Sequence, residues 1–180
     1  MTNRIGTVIV SFGVGIAAYW AWDLLLNKQQ SPVVNQLLLG STVSNASLPR
    51  GIRNNNPGNI KYNAANNWQG QTGKDSGGFC IFDTPANGLR AVGKLLRTYI
   101  GNGYNTIGKI TQRYSPDANG LSGAYGAAVA KYTGIGTNVV LSSSDTASLA
   151  KIINAIVAVE NGAKYLNYFN PATISGALAA

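Results

Sequence analysis

The sequence predicts an α+β domain, a small irregular antiparallel sheet followed by helices, set behind a single N-terminal transmembrane helix. Three observations carry this reading. Residues 5–22 hold eighteen positions without a charge. Between Asn54 and Phe82, Asn- and Gly-rich turns separate short strand-like pieces. From Asp83 onward the apolar period changes from that of strands to that of helices.

The N-terminal stretch runs on through Leu24, Leu25 and Leu26 to Lys28, with only Asp23 interrupting it. About twenty residues at ~1.5 Å each span a bilayer. Arg4 precedes the stretch, and Tyr19, Trp20 and Trp22 gather near its end as an aromatic belt would. A cleaved signal peptide is the competing reading. The apolar part exceeds the usual ~7–15 residue core of such peptides, and no small-x-small cleavage site follows directly. Residues 1–28 are therefore read as a membrane anchor that contacts lipid, and residues 29–49, rich in Gln, Ser, Asn and Pro, as a tether.

The folded domain is expected to begin at Arg50. Strand-like pieces fall at Ile60-Lys61-Tyr62, Trp68-Gln69-Gly70 and Phe79 to Phe82. Asp83-Thr84-Pro85 then starts a helix with Pro at its first position, and Leu89, Val92, Leu96 and Tyr99 continue it to Gly101. Further helices are predicted over Thr106 to Tyr114, Ser122 to Tyr132, and from the Ser142-to-Asp145 cap cluster to Asn161-Gly162. The domain is placed at 50–170, with 171–180 as a C-terminal tail.

Composition narrows the chemistry. The chain has no histidine, one cysteine (Cys80) and one glutamate (Glu160), with five aspartates scattered elsewhere. A lone cysteine excludes an intrachain disulfide and a Cys-based zinc site, and the lack of His makes a transition-metal site implausible. No metal and no cofactor are expected. Metallo- and cysteine-peptidase mechanisms lack their residues. A net charge of +8 favours polyanionic partners such as cell wall or anionic lipid. The cations form no run, so a nucleic-acid tail is not indicated.

Most proton-transfer catalysis uses His or a carboxylate, which singles out Glu160. At ~100° per residue it lies about 40° from Ile156 and about 20° from Ile153, continuing the apolar stripe of its helix. Partial burial and the negative end of the helix should both raise its pKa. A carboxylic acid kept protonated near neutrality is what protonation of a glycosidic leaving oxygen requires. The alternative is a helix-end residue whose carboxylate reaches out to water. Asp75, in Lys74-Asp75-Ser76-Gly77-Gly78, reads as a turn residue, and Asp83 as a helix-start residue; either is a weaker second carboxylate. Tyr62 and Trp68 flank the turn region, where aromatic faces could stack on sugar rings.

Several blocks together resemble a known family. Arg50-Gly51-Ile52-Arg53-Asn54-Asn55-Asn56-Pro57-Gly58-Asn59-Ile60 is followed by Trp68-Gln69-Gly70, Phe79-x-x-Phe82 and Gly88-x-Arg90-Ala91. Later come Thr106-Ile107, Arg113-x-x-Pro116, Tyr125-x-x-Ala128-Val129-Ala130 and Glu160-Asn161-Gly162-x-x-x-Tyr165. This pattern is similar to phage lytic and virion-associated domains with a lysozyme-like fold, distantly similar to the lytic enzyme of enveloped double-stranded RNA phages. The Glu-Asn-Gly helix comes last here, as in a circular permutation of lytic-transglycosylase-like relatives.

The resemblance implies a peptidoglycan-degrading enzyme, membrane-anchored in a virion or host envelope, with other virion proteins as further partners. Carried over position by position, it makes Glu160 the catalytic acid. Asn55, Asn56, Asn59, Trp68 and Tyr165 become substrate-binding, and Tyr62 joins them for its aromatic face beside the turn. One glutamate without a clear partner tilts the expectation to a lytic transglycosylase over a muramidase that hydrolyses. The competing reading is a virion structural or tethering protein that binds wall without cutting it.

Overall fold

The computed structural model describes residues 47–116 and 121–180. The predicted transmembrane helix, nearly all of the tether and Asp117 lie outside the described residues. Among the described residues, no helix is long and apolar enough to cross a membrane.

The α+β class is observed. A four-residue helix α1 (Arg50–Arg53) leads into the asparagine turns. Strands β1 (Gln71–Lys74) and β2 (Cys80–Phe82) pair antiparallel, with a register irregularity between Gln71 and Gly73. An isolated bridge from Lys61 to Phe79 extends the pairing. The helices α2 (Pro85–Gly101), α3 (Ile107–Tyr114), α4 (Leu121–Thr133), α5 (Thr146–Asn161) and α6 (Pro171–Ala179) follow. A single 3-10 turn, Ala163–Tyr165, separates the last two.

Local chemistry sets these boundaries. Thr84 caps α2 by accepting from the Asn87 amide, with Pro85 at the first position. Thr106 and Asp145 cap α3 and α5 in the same way. Trp68-Gln69-Gly70 is not a strand: Gly70 takes a positive φ of 70°, and the three residues turn into β1.

The segment 171–180 is not a tail. Asn170 caps α6 by accepting from Thr173 N at 2.9 Å, and Pro171 opens it. Ile174, Ala177 and Leu178 are buried against α2 and α5, with Leu178 lying over Gly93.

The core is organised around α5, which contacts α1, α2, α4 and α6. Leu149, Ile152, Ile153 and Ile156 form its apolar stripe, and Ala155, Val157 and Ala158 are buried as well. A helix buried nearly all round has its course fixed by packing on several sides. Its C-terminal turn, which carries Glu160, inherits that rigidity.

Candidate active site

The asparagine turns and the end of α5 are bonded to each other. Asn161 donates to Pro57 O at 2.8 Å and to Val157 O at 2.9 Å. Between α1 and α5, Gly51 leaves no room for a side chain: a Cβ there would sit 2.4 Å from Asn161 Oδ1 and 2.9 Å from Asn56 O. Gly88 lets α2 approach the same turns, since a Cβ on it would lie 1.9 Å from Asn55 O. Asn55 and Asn59 hold φ of 51° and 48°, left-handed values that Asn tolerates better than most residues.

This framework delivers two donors to the Glu160 carboxylate. Asn59 Nδ2 donates to Oε2 at 3.0 Å and to the Glu160 carbonyl at 3.3 Å. From α4, the Tyr125 hydroxyl donates to Oε1 at 2.9 Å. The Tyr125 ring lies 6.2 Å from that of Tyr114, whose hydroxyl donates to Gly58 O at 2.6 Å. Gly58 is needed here too, because a Cβ would fall 2.4 Å from the Tyr114 oxygen.

Burial pushes the Glu160 pKa above its ordinary value, while the Asn59 and Tyr125 hydrogen bonds pull the other way and lose. Burial, with the nearby Glu160 charge adding to it, holds both Tyr114 and Tyr125 well above the usual phenol range. Tyr125 therefore stays a proton donor at neutral pH. The result is a half-buried carboxyl group bonded on both oxygens, with its pKa raised by burial.

A groove of about 760 Å³ is lined by residues of the 59–68 segment together with Leu95, Tyr99, Arg113, Tyr114 and Pro116. Glu160 is not among the lining residues, but Asn59, which holds its carboxylate, is. Tyr62 (39% exposed) and Trp68 also line it. Lys74 lies 5.0 Å over the Tyr62 ring, and Trp68 packs partly against the core.

The other three residues assigned to substrate do not line this groove. Asn56 is 0% exposed, and its side chain bonds Ile60 N, Ile60 O and Cys80 O. It ties the turn to β2 and has no surface for a ligand. The Asn55 amide donates to Phe82 O and Asp83 O, fastening the turn to the start of α2. Tyr165, 5% exposed, is a core residue whose ring lies 5.2 Å from that of Tyr168, tilted against it. Conversely, Tyr99, Arg113, Tyr114 and Tyr125 were not singled out as site residues, because each meets the site only through long-range packing of helices.

Neither aspartate considered as a second carboxylate bonds to Glu160 or its partners. Asp75 accepts from the amides of Gly77 and Phe79 and from Asn54, and pairs with Arg50 at 3.5 Å. The hydrogen bond from Phe79 is the main reason its pKa is lowered. Asp83 accepts from Asn87 at 2.8 Å, which lowers its pKa in turn. Cys80 is wholly buried, and burial raises its thiol pKa, as suits an inert thiol. Among the described residues no three His, Cys, Asp or Glu side chains come together as a metal site.

Fold and site together define an α+β domain with one clamped, half-buried glutamate held by Asn59, a residue of an aromatic- and asparagine-lined groove. No family model matches the chain. It is 35% identical to Protein P5 of Pseudoalteromonas phage PM2 over 123 residues, 66% of this chain and 75% of that protein. The chain belongs to the family of that phage protein.

Proposed function

We propose that this domain is a lysozyme-like peptidoglycan glycosidase of the lytic transglycosylase type, with Glu160 as its single catalytic carboxyl group. The reading rests chiefly on the Glu160 arrangement: raised pKa, both oxygens bonded, and a groove beside it. Protonated Glu160 gives its proton to the glycosidic oxygen between muramic acid and glucosamine as the C1–O bond breaks. The carboxylate so formed then takes the proton of the muramic acid C6 hydroxyl as that oxygen bonds to C1, closing a 1,6-anhydro ring. The protonated acid is regenerated within one turnover, without a second carboxylate. The commitment of Asp75 and Asp83 to turn and cap hydrogen bonds supports this economy.

Mass spectrometry of products from purified cell wall tests the proposal. Anhydro-muropeptides are expected. Reducing-end muropeptides would indicate hydrolysis, and intact wall would leave binding as the function.

The electrostatics give a pH prediction. Removing the Tyr125 hydroxyl in Tyr125→Phe deletes a hydrogen bond that favours ionised Glu160. The Glu160 pKa should rise further, so the alkaline limb of the rate profile should move to higher pH. A profile that moved down or stayed put would mean Glu160 is not the titrating acid.

The same proposal places the domain on a membrane, in the virion or the host envelope, through residues 1–28. Full-length protein should then partition into the detergent phase, whereas a chain lacking residues 1–28 should stay in the aqueous phase. Full-length protein that remains in the aqueous phase with its N-terminus intact would end the anchor reading.

A further inference from the structure

We infer that the groove recognises the carboxylate-bearing peptide stems of the wall and not the glycan alone, with Arg113 as the principal recognition residue and Lys61 as its support. This deepens the assignment of Glu160 as a wall-cutting acid and rests on it. The groove offers two kinds of surface. Tyr62, Trp68 and Tyr99 supply flat aromatic faces, and Asn63 and Asn66 add polar groups, as a saccharide requires. A neutral glycan asks for nothing more, yet the described lining also holds two cations and no carboxylate.

Arg113 is the telling one. Arg50 pairs with Asp75, Arg90 bonds Gln69, and Arg97 bonds the carbonyls of Ser143 and Leu178. Arg113, exposed in the last turn of α3, makes no hydrogen bond or ion pair with any described residue. Its guanidinium lies 5.8 Å from the Tyr99 ring centroid, in the groove that Tyr62 and Trp68 also line. A planar guanidinium beside an aromatic face presents a two-pronged donor set that matches a carboxylate. Lys61, in the same lining, is anchored, its ammonium 3.3 Å from Gly77 O and 4.0 Å from the Phe79 ring centroid. A ligand in the groove therefore meets two positive charges as well as the aromatic rings. Peptidoglycan fits both demands, since its sugars carry peptides rich in free carboxylates.

The test uses full-length protein on two substrates: purified sacculi, and the same sacculi with stem carboxylates amidated by carbodiimide and ammonia. Wild type should release products about fivefold more slowly from the amidated wall, the scale of an exposed ion pair. Arg113→Gln should show a similar loss on untreated wall and no further loss on amidated wall. Lys61→Gln should behave likewise with a smaller effect. The wild-type preference should fade in molar salt. Equal rates on both walls, or an Arg113→Gln protein that keeps the full preference, would overturn the inference. Calorimetry with a soluble disaccharide-tetrapeptide and its amidated form separates this from the chemistry. If neither wall is cut, the glycosidase proposal falls. Tighter binding of the carboxylate form, lost in Arg113→Gln, would still support the groove assignment, and equal binding would end it.

Discussion

Glu160→Gln should reduce wall cleavage by about 10²- to 10⁴-fold, the range that positioned proton transfer contributes. The fold should survive. Gln matches the carboxyl in shape, its oxygen can accept from Asn59, and its amide can donate to the Tyr125 hydroxyl oxygen, which the wild-type carboxylate holds as a donor. Stability should rise slightly at neutral and alkaline pH, and the sign follows from linkage. Burial raises the folded-state pKa above the unfolded value, so ionisation penalises the folded state. The penalty is absent at acid pH, grows as pH rises through the unfolded pKa, and is complete above the folded pKa. The amide never incurs it. Product release and thermal melts across pH measure both effects. A Glu160→Gln protein cutting at near wild-type rate would remove the chain's only glutamate from the mechanism.

The helices were legible because their signals are local. Thr84-Pro85, Thr106 and Asp145 are caps that act within four residues, and the apolar stripes of α2 and α5 repeat at the helical period. Glu160 could be read as half-buried for the same reason, being in phase with Ile153 and Ile156. Where an assignment needed contacts between distant segments, the sequence was silent. Nothing near Asn56 distinguishes it from Asn59, yet one is sealed under β2 and the other faces the carboxylate. Asn is common in such turns because it tolerates left-handed φ and bonds backbone groups, and those uses mask any role in ligand binding. Tyr125 is 35 residues from Glu160 and sits on a helix without a marked apolar face, so no spacing rule pairs them. The α6 helix was missed although Asn170-Pro171 is a fair start signal, because its run of small residues reads as a tail until it meets Gly93.

Asn56→Ala should be among the most destabilising single changes in the domain, and it should act on folding and not on substrate. The side chain is 0% exposed and makes three hydrogen bonds, to Ile60 N at 2.9 Å, Ile60 O at 2.9 Å and Cys80 O at 3.0 Å. Ile60 O retains a second donor in Cys80 N, but the buried Ile60 amide loses its Asn56 acceptor. A buried polar group left unsatisfied costs about 1–3 kcal/mol, and the lost bond to Cys80 O adds to it. A total near 3 kcal/mol would lower Tm by roughly 10 °C for a domain of this size. Asn56→Asp is the informative companion. Its carboxylate can still accept from Ile60 N, but it faces two carbonyl oxygens, so it should be worst at neutral pH and recover as acid protonates it. At a temperature where Asn56→Ala remains folded, KM for wall should stay near wild type, since the residue has no exposed surface. Unchanged Tm in Asn56→Ala would contradict the buried network, and a raised KM with Tm intact would return Asn56 to the substrate-binding set.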